Sequence, residues 1–314
     1  MKELLENEIG LLLLAVLFAL SAFFVPDFLT VESIQNILVS SAIVGSLSIG
    51  AALVLISGNI DLTPGSVVAL VSVFTAFFTR YSILLAVLVG LGTSLLIGTC
   101  TGLLTSKARM TALLASLGMM GIARSGALFF ANGLTIATEH PGLEQFSEAK
   151  LAGIPLPFWV VFVGVFLMAF LLRYTRWGRA VYALGGNEES AFYSGIRTDQ
   201  VKIQLFLLAG AFYGIGGLLY TGRINSGNPE GGVGYELDAI TAAVLGGIDL
   251  RGGRGRIRNV IVGALVLAII SNMMNLLGIS AYYQQITKGF LFITIVGIRG
   301  IISKSLASRT ALQE

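Results

Sequence analysis

The sequence predicts an all-α polytopic membrane protein of about ten transmembrane helices in two inverted five-helix halves, with broken or short helices near 57–66 and 231–247. Three observations lead there. Of 314 residues, 55% are hydrophobic and only 12% charged, about half the charged fraction of a soluble domain. Residues 9–26, 33–60, 62–79, 81–106, 151–172, 203–222 and 259–287 contain no Asp, Glu, Lys, Arg or His, and about 20 apolar residues suffice to cross the hydrocarbon core. Two short polar interruptions, each led by an acidic residue, fall an odd number of spans apart, so halves built around them would be inverted.

The spans follow at 9–25, 34–57, 62–79, 83–105, 111–131, 156–173, 201–221, 237–249, 259–278 and 285–303. The first reads as a span rather than a cleaved leader, because no A-x-A-like site closes it and FFVPDFLT follows. With the N-terminus in the cytoplasm, fifteen of the 20 Lys and Arg fall inside. Three (Arg80, Lys150, Arg223) fall outside and two (Arg124, Lys288) are counted within spans, with Lys202 and Arg299, near the inner ends of theirs, counted inside, the bias expected when basic loops stay cytoplasmic. Lys107, Arg109, residues 173–202, residues 251–258 and the C-terminal tail then share the inner side. The loop around His140, with Glu139, Glu144 and Glu148, faces outward. The chain is one transmembrane domain, 1–314, with half-repeats near 1–135 and 156–303.

Two stretches break the helical pattern. SGNIDLTPGS (57–66) carries Asp61 and Pro64 between apolar runs too close together for a soluble loop. In GGVGYELDAITAAVLGG (231–247) the apolar part is too short for a straight crossing. Non-helical backbone survives at such depth only where protein buries it or water reaches it. Glycines at Gly98/Gly102 and Gly210/Gly214 have the spacing that lets membrane helices approach closely.

Several functions are excluded or disfavoured. No G-x-x-x-x-G-K-[ST] phosphate loop occurs, so the usual ATP-hydrolysing site is missing. The lone Cys100 forms no disulfide within one chain, and one histidine builds no His cluster. RGGRGRIR (251–258) resembles an RNA-binding segment in composition, but a single copy between spans reads as an inner-side anchor, not a nucleic-acid site. Proton coupling calls for a carboxylate relay mid-membrane, whereas Asp61, Glu236 and Asp238 lie at span edges; a structural ion pair or helix cap is the plainer reading of Asp61 and Asp238.

The inner loop 174–200 is the most informative stretch. TRWGRAVYALGGNEESAFYSGI predicts a short helix and a Gly-Gly turn at 185–186. Asn187 then caps a second short helix that has acidic residues in its first turn and stops at Gly195. Too small to be a domain, it suits docking on a partner or merely connects two spans.

Here the residues resemble a known family, the permease subunits of bacterial ribose-type ABC sugar importers. The resemblance spans nearly the whole chain and rests on SGNIDLTPGSVVAL (57–70), RWGRAVYALGGNEESAFYSGI (176–196), GVGYELDAITAAVLGGIDLRGGRGRI (232–257) and NLLGISAYYQQITKG (275–289). Departures are Asn59 where Gly is usual, Thr63-Pro64 for Ser-Val, and Thr241-Ala242 for Ala-Ala. The resemblance implies a multi-pass protein of the bacterial inner membrane with both termini cytoplasmic. Its partners would be a second permease copy or a sister permease, cytoplasmic ABC ATPase subunits that hold ATP and Mg, and an external sugar-binding protein. The chain itself would hold no cofactor. It also implies that Arg176, Gly178, Arg179, Tyr182, Gly185, Gly186, Asn187 and Gly195 couple the permease to the ATPase. Polar residues expected along a path for a hydroxyl-rich solute are Asn59, Asp61, Ser66, Glu236, Asp238, Asn272, Asn275 and Gln284, each also able to serve as an interhelical hydrogen-bonding group. The alternatives are an ion-coupled secondary carrier working alone, an ABC permease for another small solute such as a branched-chain amino acid, or a membrane structural or receptor protein without transport.

Overall fold

The structure, a computed structural model, describes the backbone of residues 2–311 and the side chains of residues 10–297. The basic residues Lys2, Arg299, Lys304 and Arg309, counted above on the inner side, therefore lie outside the described side chains. Each expected span coincides with a helix. The first five are α1 (Lys2–Phe24), α2 (Val31–Ile56), α3 (Pro64–Phe78), α4 (Ile83–Ser106) and α5 (Ala112–Ala131). A loop follows with strand β1 (Ile136–Ala137), helix α6 (Gly142–Glu148) and a minimal hairpin of β2 (Lys150–Leu151) and β3 (Ile154–Pro155). Then come α7 (Leu156–Tyr174), α8 (Arg176–Gly186), α9 (Glu188–Tyr193), α10 (Thr198–Ile224), β4 (Ser226–Gly227), α11 (Tyr235–Leu245), a 3-10 turn (Ile257–Asn259), α12 (Val260–Leu276) and α13 (Ala281–Ala311). Among the described residues six helices are long and apolar enough to cross a membrane: α2, α4, α5, α7, α10, and α12 with its 3-10 lead-in. The protein is a polytopic helical membrane protein.

Local chemistry sets the helix starts. Thr30 accepts from the Ser33 amide at 3.3 Å and Ser82 from the Leu85 amide at 3.1 Å, satisfying amides that a first helical turn leaves free. Pro64 opens α3, where its missing N–H costs nothing.

The core is organised around α2 and α10, which pack on each other. Every residue of α2 from Ser41 to Ile56 is buried, beneath α7, α10, α11 and α12. α3 lies against α10, α4 and α5, while α11 lies against α2, α12 and α13. The two glycine pairs singled out in the sequence meet each other: a Cβ on Gly98 would fall 2.4 Å from the Phe206 carbonyl oxygen, and one on Gly210 2.6 Å from that of Ser94. The α4–α10 contact is therefore backbone against backbone, the way helices associate where lipid offers no hydrophobic drive. We expect Gly98→Ala to lower stability by about 1–3 kcal/mol through overpacking. Gly92→Ala, on the same helix with nothing within 4 Å of the new carbon, should change it by less than about 0.5 kcal/mol. Thermal unfolding of both variants in detergent checks the contrast.

Loops segregate to two ends, as the charge pattern requires. At one end β1 pairs antiparallel with β4, the Glu139 amide donates to Thr79 Oγ1 at 3.0 Å, and Asn225 Nδ2 donates to Glu144 Oε2 at 3.1 Å. At the other, Lys107 Nζ meets Asp199 Oδ2 at 2.9 Å, joining the α4–α5 connection to the start of α10.

Candidate functional site

The two expected helix breaks are real, and they meet. α2 ends at Ile56, residues 57–63 are non-helical, and α3 starts at Pro64. With 15 residues, α3 is roughly 22 Å long, and α11, with 11, roughly 16 Å. Both fall short of a bilayer core of about 30 Å. Residues 227–232 descend along α3: Cβ atoms built on Gly227 and Gly232 would touch Val73 and Val68 in turn. At the bottom, a Cβ on Gly65 would come 2.2 Å from the Gly232 carbonyl oxygen and 2.4 Å from Glu236 Oε2. The N-termini of two oppositely directed half-helices thus adjoin inside the bundle. Gly232 (φ 72°) and Gly234 (φ 85°) make the left-handed turn that launches α11.

Carboxylates belong at these starts, because a helix N-terminus carries partial positive charge. Asp61, 4% exposed, accepts from the Thr63 amide at 2.9 Å and from Thr63 Oγ1 at 2.7 Å, an Asx turn leading into α3. Glu236 and Asp238 occupy the first turn of α11. Asp238 pairs with Lys288 on α13 at 2.6 Å, and Arg124 on α5 donates through Nη1 to the carbonyls of Pro229 (2.9 Å) and Gly231 (2.7 Å). Both intramembrane cations flagged by the sequence therefore fasten the α11 break, one from each side.

The eight polar residues expected along a path do not gather at one place. Asn59 donates to Ser57 O at 3.1 Å and Ser57 Oγ at 3.0 Å, in the connection after α2. Ser66 is buried and donates to Thr63 O at 2.9 Å. Asn272 donates to Ser33 Oγ at 2.8 Å, tying α12 to α2, and Gln284 donates to Asn275 Oδ1 at 2.7 Å across the α12–α13 turn. Glu236 is half-buried between α3 and Arg124. These bonds engage the Asn272 amide nitrogen, the Asn275 amide oxygen and the Gln284 amide nitrogen, which also donates to Ile279 O at 3.0 Å.

The 174–200 loop folds as its sequence prescribes, with one shift. Thr175 Oγ1 caps α8 through the Gly178 amide at 3.1 Å, and Asn187 Oδ1 caps α9 through the Ser190 amide at 2.8 Å. Glu188 and Glu189 fill the first turn of α9, and Gly195 (φ 83°) follows its end. Gly185 and Gly186 form the last turn of α8 rather than a separate turn; the chain breaks at extended Asn187 (φ −163°). Gly178 is packed so tightly that a Cβ would sit 2.1 Å from the Leu172 carbonyl oxygen, setting the bend between α7 and α8. Tyr182 donates to Gly255 O at 2.8 Å; burial pushes its hydroxyl above the usual tyrosine range, with Arg256 opposing, so it stays protonated as that donor. Arg176 begins α8, and Arg179 stands one turn on. Sequence reasoning missed the Lys202–Glu188 pair (2.6 Å), which clips α9 to α10, because a 14-residue separation across a turn carries no periodic signal. A cavity of about 1050 Å³ opens beside α9, lined among others by Asn59, Ile60, Lys107, Met110, Glu189 and the exposed Phe192.

Comparison with known proteins places this geometry. The family described as "Branched-chain amino acid transport system / permease component" matches residues 33–296. The chain is 37% identical over 302 residues to the ribose import permease protein RbsC of Escherichia coli (strain K12), covering 94% of each chain. It is 36% identical over 275 residues to RbsC of Bacillus subtilis (strain 168), covering 86% of this chain and 85% of that one. It is 34% identical over 295 residues to the L-arabinose ABC transporter permease protein AraH of Azospirillum brasilense, covering 93% and 87%. No solved structure matches the chain.

Proposed function

The chain belongs to the branched-chain amino acid transport system / permease component family, and on that premise we propose that it is the membrane-spanning permease subunit of an ATP-driven importer that carries a monosaccharide of the ribose or arabinose class into the cytoplasm. The observation that carries the sugar reading is the identity to ribose and arabinose permeases over more than nine-tenths of the chain. The family description names branched-chain amino acids, but each of these relatives is named for a pentose.

The working unit pairs this chain with a second copy or a sister permease in the bacterial inner membrane, both termini inward. ATPase subunits holding ATP and Mg dock on the 174–200 face, and a sugar-binding protein docks on the face carrying β1 and β4. Ten spans form two inverted halves, 1–135 and 156–303. The matched surroundings of α3 and α11 support this: each half-helix lies on the central helix of the other half. ATP binding draws the coupling loops together and rocks the halves about the adjoining half-helix starts, opening the path outward; hydrolysis resets it. Arg176, Gly178, Arg179, Tyr182, Gly185, Gly186, Asn187 and Gly195 shape the coupling surface. Of the eight polar candidates, Asn59 and Glu236, at the two breaks, are the strongest for contact with sugar.

The rival reading is an ion-driven carrier working alone. Asp61 held by Thr63 and Asp238 held by Lys288 leave little for a proton or sodium relay. Uptake of labelled ribose and arabinose into proteoliposomes decides: transport should require ATP, the ATPase and the binding protein together. Uptake driven by an imposed ion gradient with the permease alone would overturn the proposal.

A further inference from the structure

Three connections that are far apart in sequence touch through bare backbone at the inner end of the bundle. A Cβ on Gly185, in the last turn of α8, would lie 1.9 Å from the Ile56 carbonyl oxygen and 2.5 Å from the Gly253 nitrogen. The Gly253 amide donates to Ile56 O at 2.8 Å. A Cβ on Gly252 would meet the Gly58 Cα at 2.5 Å and the Gly185 carbonyl oxygen at 2.9 Å, and one on Gly253 the Gly186 Cα at 3.0 Å. Gly252 (φ 85°) and Gly253 (φ 70°) hold a conformation that favours glycine, which presents this loop edge-on to the other two. The Tyr182 bond to Gly255 O adds a second tie between α8 and the same loop.

The identity of the three connections gives the contact meaning. Gly58 lies in the non-helical link from α2 to α3; Gly252 and Gly253 lie in the link from α11 to α12; Gly185 lies in the last turn of α8, beside the loop read above as the ATPase-contacting surface. Packed side chains can absorb a displacement by changing rotamer. Backbone packed on backbone has no such freedom, and it transmits strain. We propose that this glycine junction binds the α8–α9 loop to both helix-break links as one body, so that displacement of the loop by the ATPase reaches α3 and α11 together. Gly58, Gly252 and Gly253 are thereby positioning residues for transport. The inference rests on the coupling reading of the 174–200 loop.

The test uses the complete transporter with its ATPase and binding protein, in a Cys100→Ser background. Spin labels at Glu189→Cys and Arg254→Cys, both exposed, report across the junction, and labels at Glu189→Cys and Arg109→Cys report across the neighbouring cleft. Between the nucleotide-free and ATP-trapped states the Glu189–Arg254 distance should hold within about 2 Å while Glu189–Arg109 changes by more. A Glu189–Arg254 distance that changes as much as Glu189–Arg109 overturns the junction and leaves the coupling reading standing. No change in either pair overturns the coupling reading, and the junction with it. In a second arm, Gly252→Ala should leave the subunits co-purifying and hydrolysing ATP but lower the sugar moved per ATP by about tenfold. Gly278→Ala, at an equally left-handed glycine (φ 68°) whose Cβ meets nothing within 4 Å, should lower it less. Equal effects of the two alanines, or an unaltered ratio in Gly252→Ala, count against the proposal; if Gly252→Ala does not assemble, the label distances decide.

Discussion

Arg124→Met is expected to cost about 2–4 kcal/mol of stability and to abolish sugar uptake. The guanidinium donates to Pro229 O at 2.9 Å and Gly231 O at 2.7 Å, in a segment with no helical ladder to absorb those carbonyls. A hydrogen bond to a charged group is worth about 1.5–3 kcal/mol, and stranded partners add a desolvation penalty. The loss falls on function as well, because residues 228–232 fix where α11 begins and keep Gly232 against Gly65. Arg124→Lys should recover part of the stability, since an ammonium is a point donor without the planar fork. Thermal unfolding in detergent and uptake in proteoliposomes measure both effects. An unshifted melting curve for Arg124→Met would show the clamp to be dispensable.

The second large effect is an asymmetry between Asp238 and Lys288. Removing one partner of a buried ion pair costs about 3–5 kcal/mol, mostly through the charge left behind. Asp238 is 4% exposed at its side chain and Lys288 24%. Lys288→Met strands a carboxylate that cannot reach water, while Asp238→Asn leaves a lysine able to extend toward it. Lys288→Met should therefore be the more damaging, and Asp238→Asn with Lys288→Met together less damaging than Lys288→Met alone. A double-mutant cycle on unfolding free energy provides the check; additive losses would mean that the pair is not coupled. ATP-driven uptake retained by the double variant would also dispose of Asp238 as an ion-relay group.

Much of this was legible from the chain. The helices announced themselves because membrane burial demands long apolar runs: each expected span falls on a helix, and among the described residues six helices are long and apolar enough to cross. The breaks were visible because Asp61, Pro64 and the short apolar part of 231–247 violate that demand. Asn187 and Gly195 act locally, through caps and turn geometry, so their roles followed from neighbours a few residues away. Partnerships between distant elements were not legible. Gly58, Gly185 and Gly253 each look like an ordinary turn glycine, and only the folded chain brings them together. Lys202 likewise reads as one more inner-side cation, and nothing in its periodicity points to Glu188. The sequence suggested eight polar residues along a path, but helical phase cannot say whether a polar atom faces a solute or, like Asn272, a serine on the next helix.

The burial of α2 has a consequence for biogenesis. By composition it is among the most strongly apolar helices in the chain, yet its inner two-thirds touches only protein. Its packing partners α7, α10, α11 and α12 are all made later, and a chain emerges N-terminus first. During synthesis, then, the 41–56 part of α2 is made before any of the helices that will cover it. Its Leu, Ile and Val residues must satisfy two solvents in succession, first the acyl chains that accept the newly inserted helix and later the protein interior that replaces them.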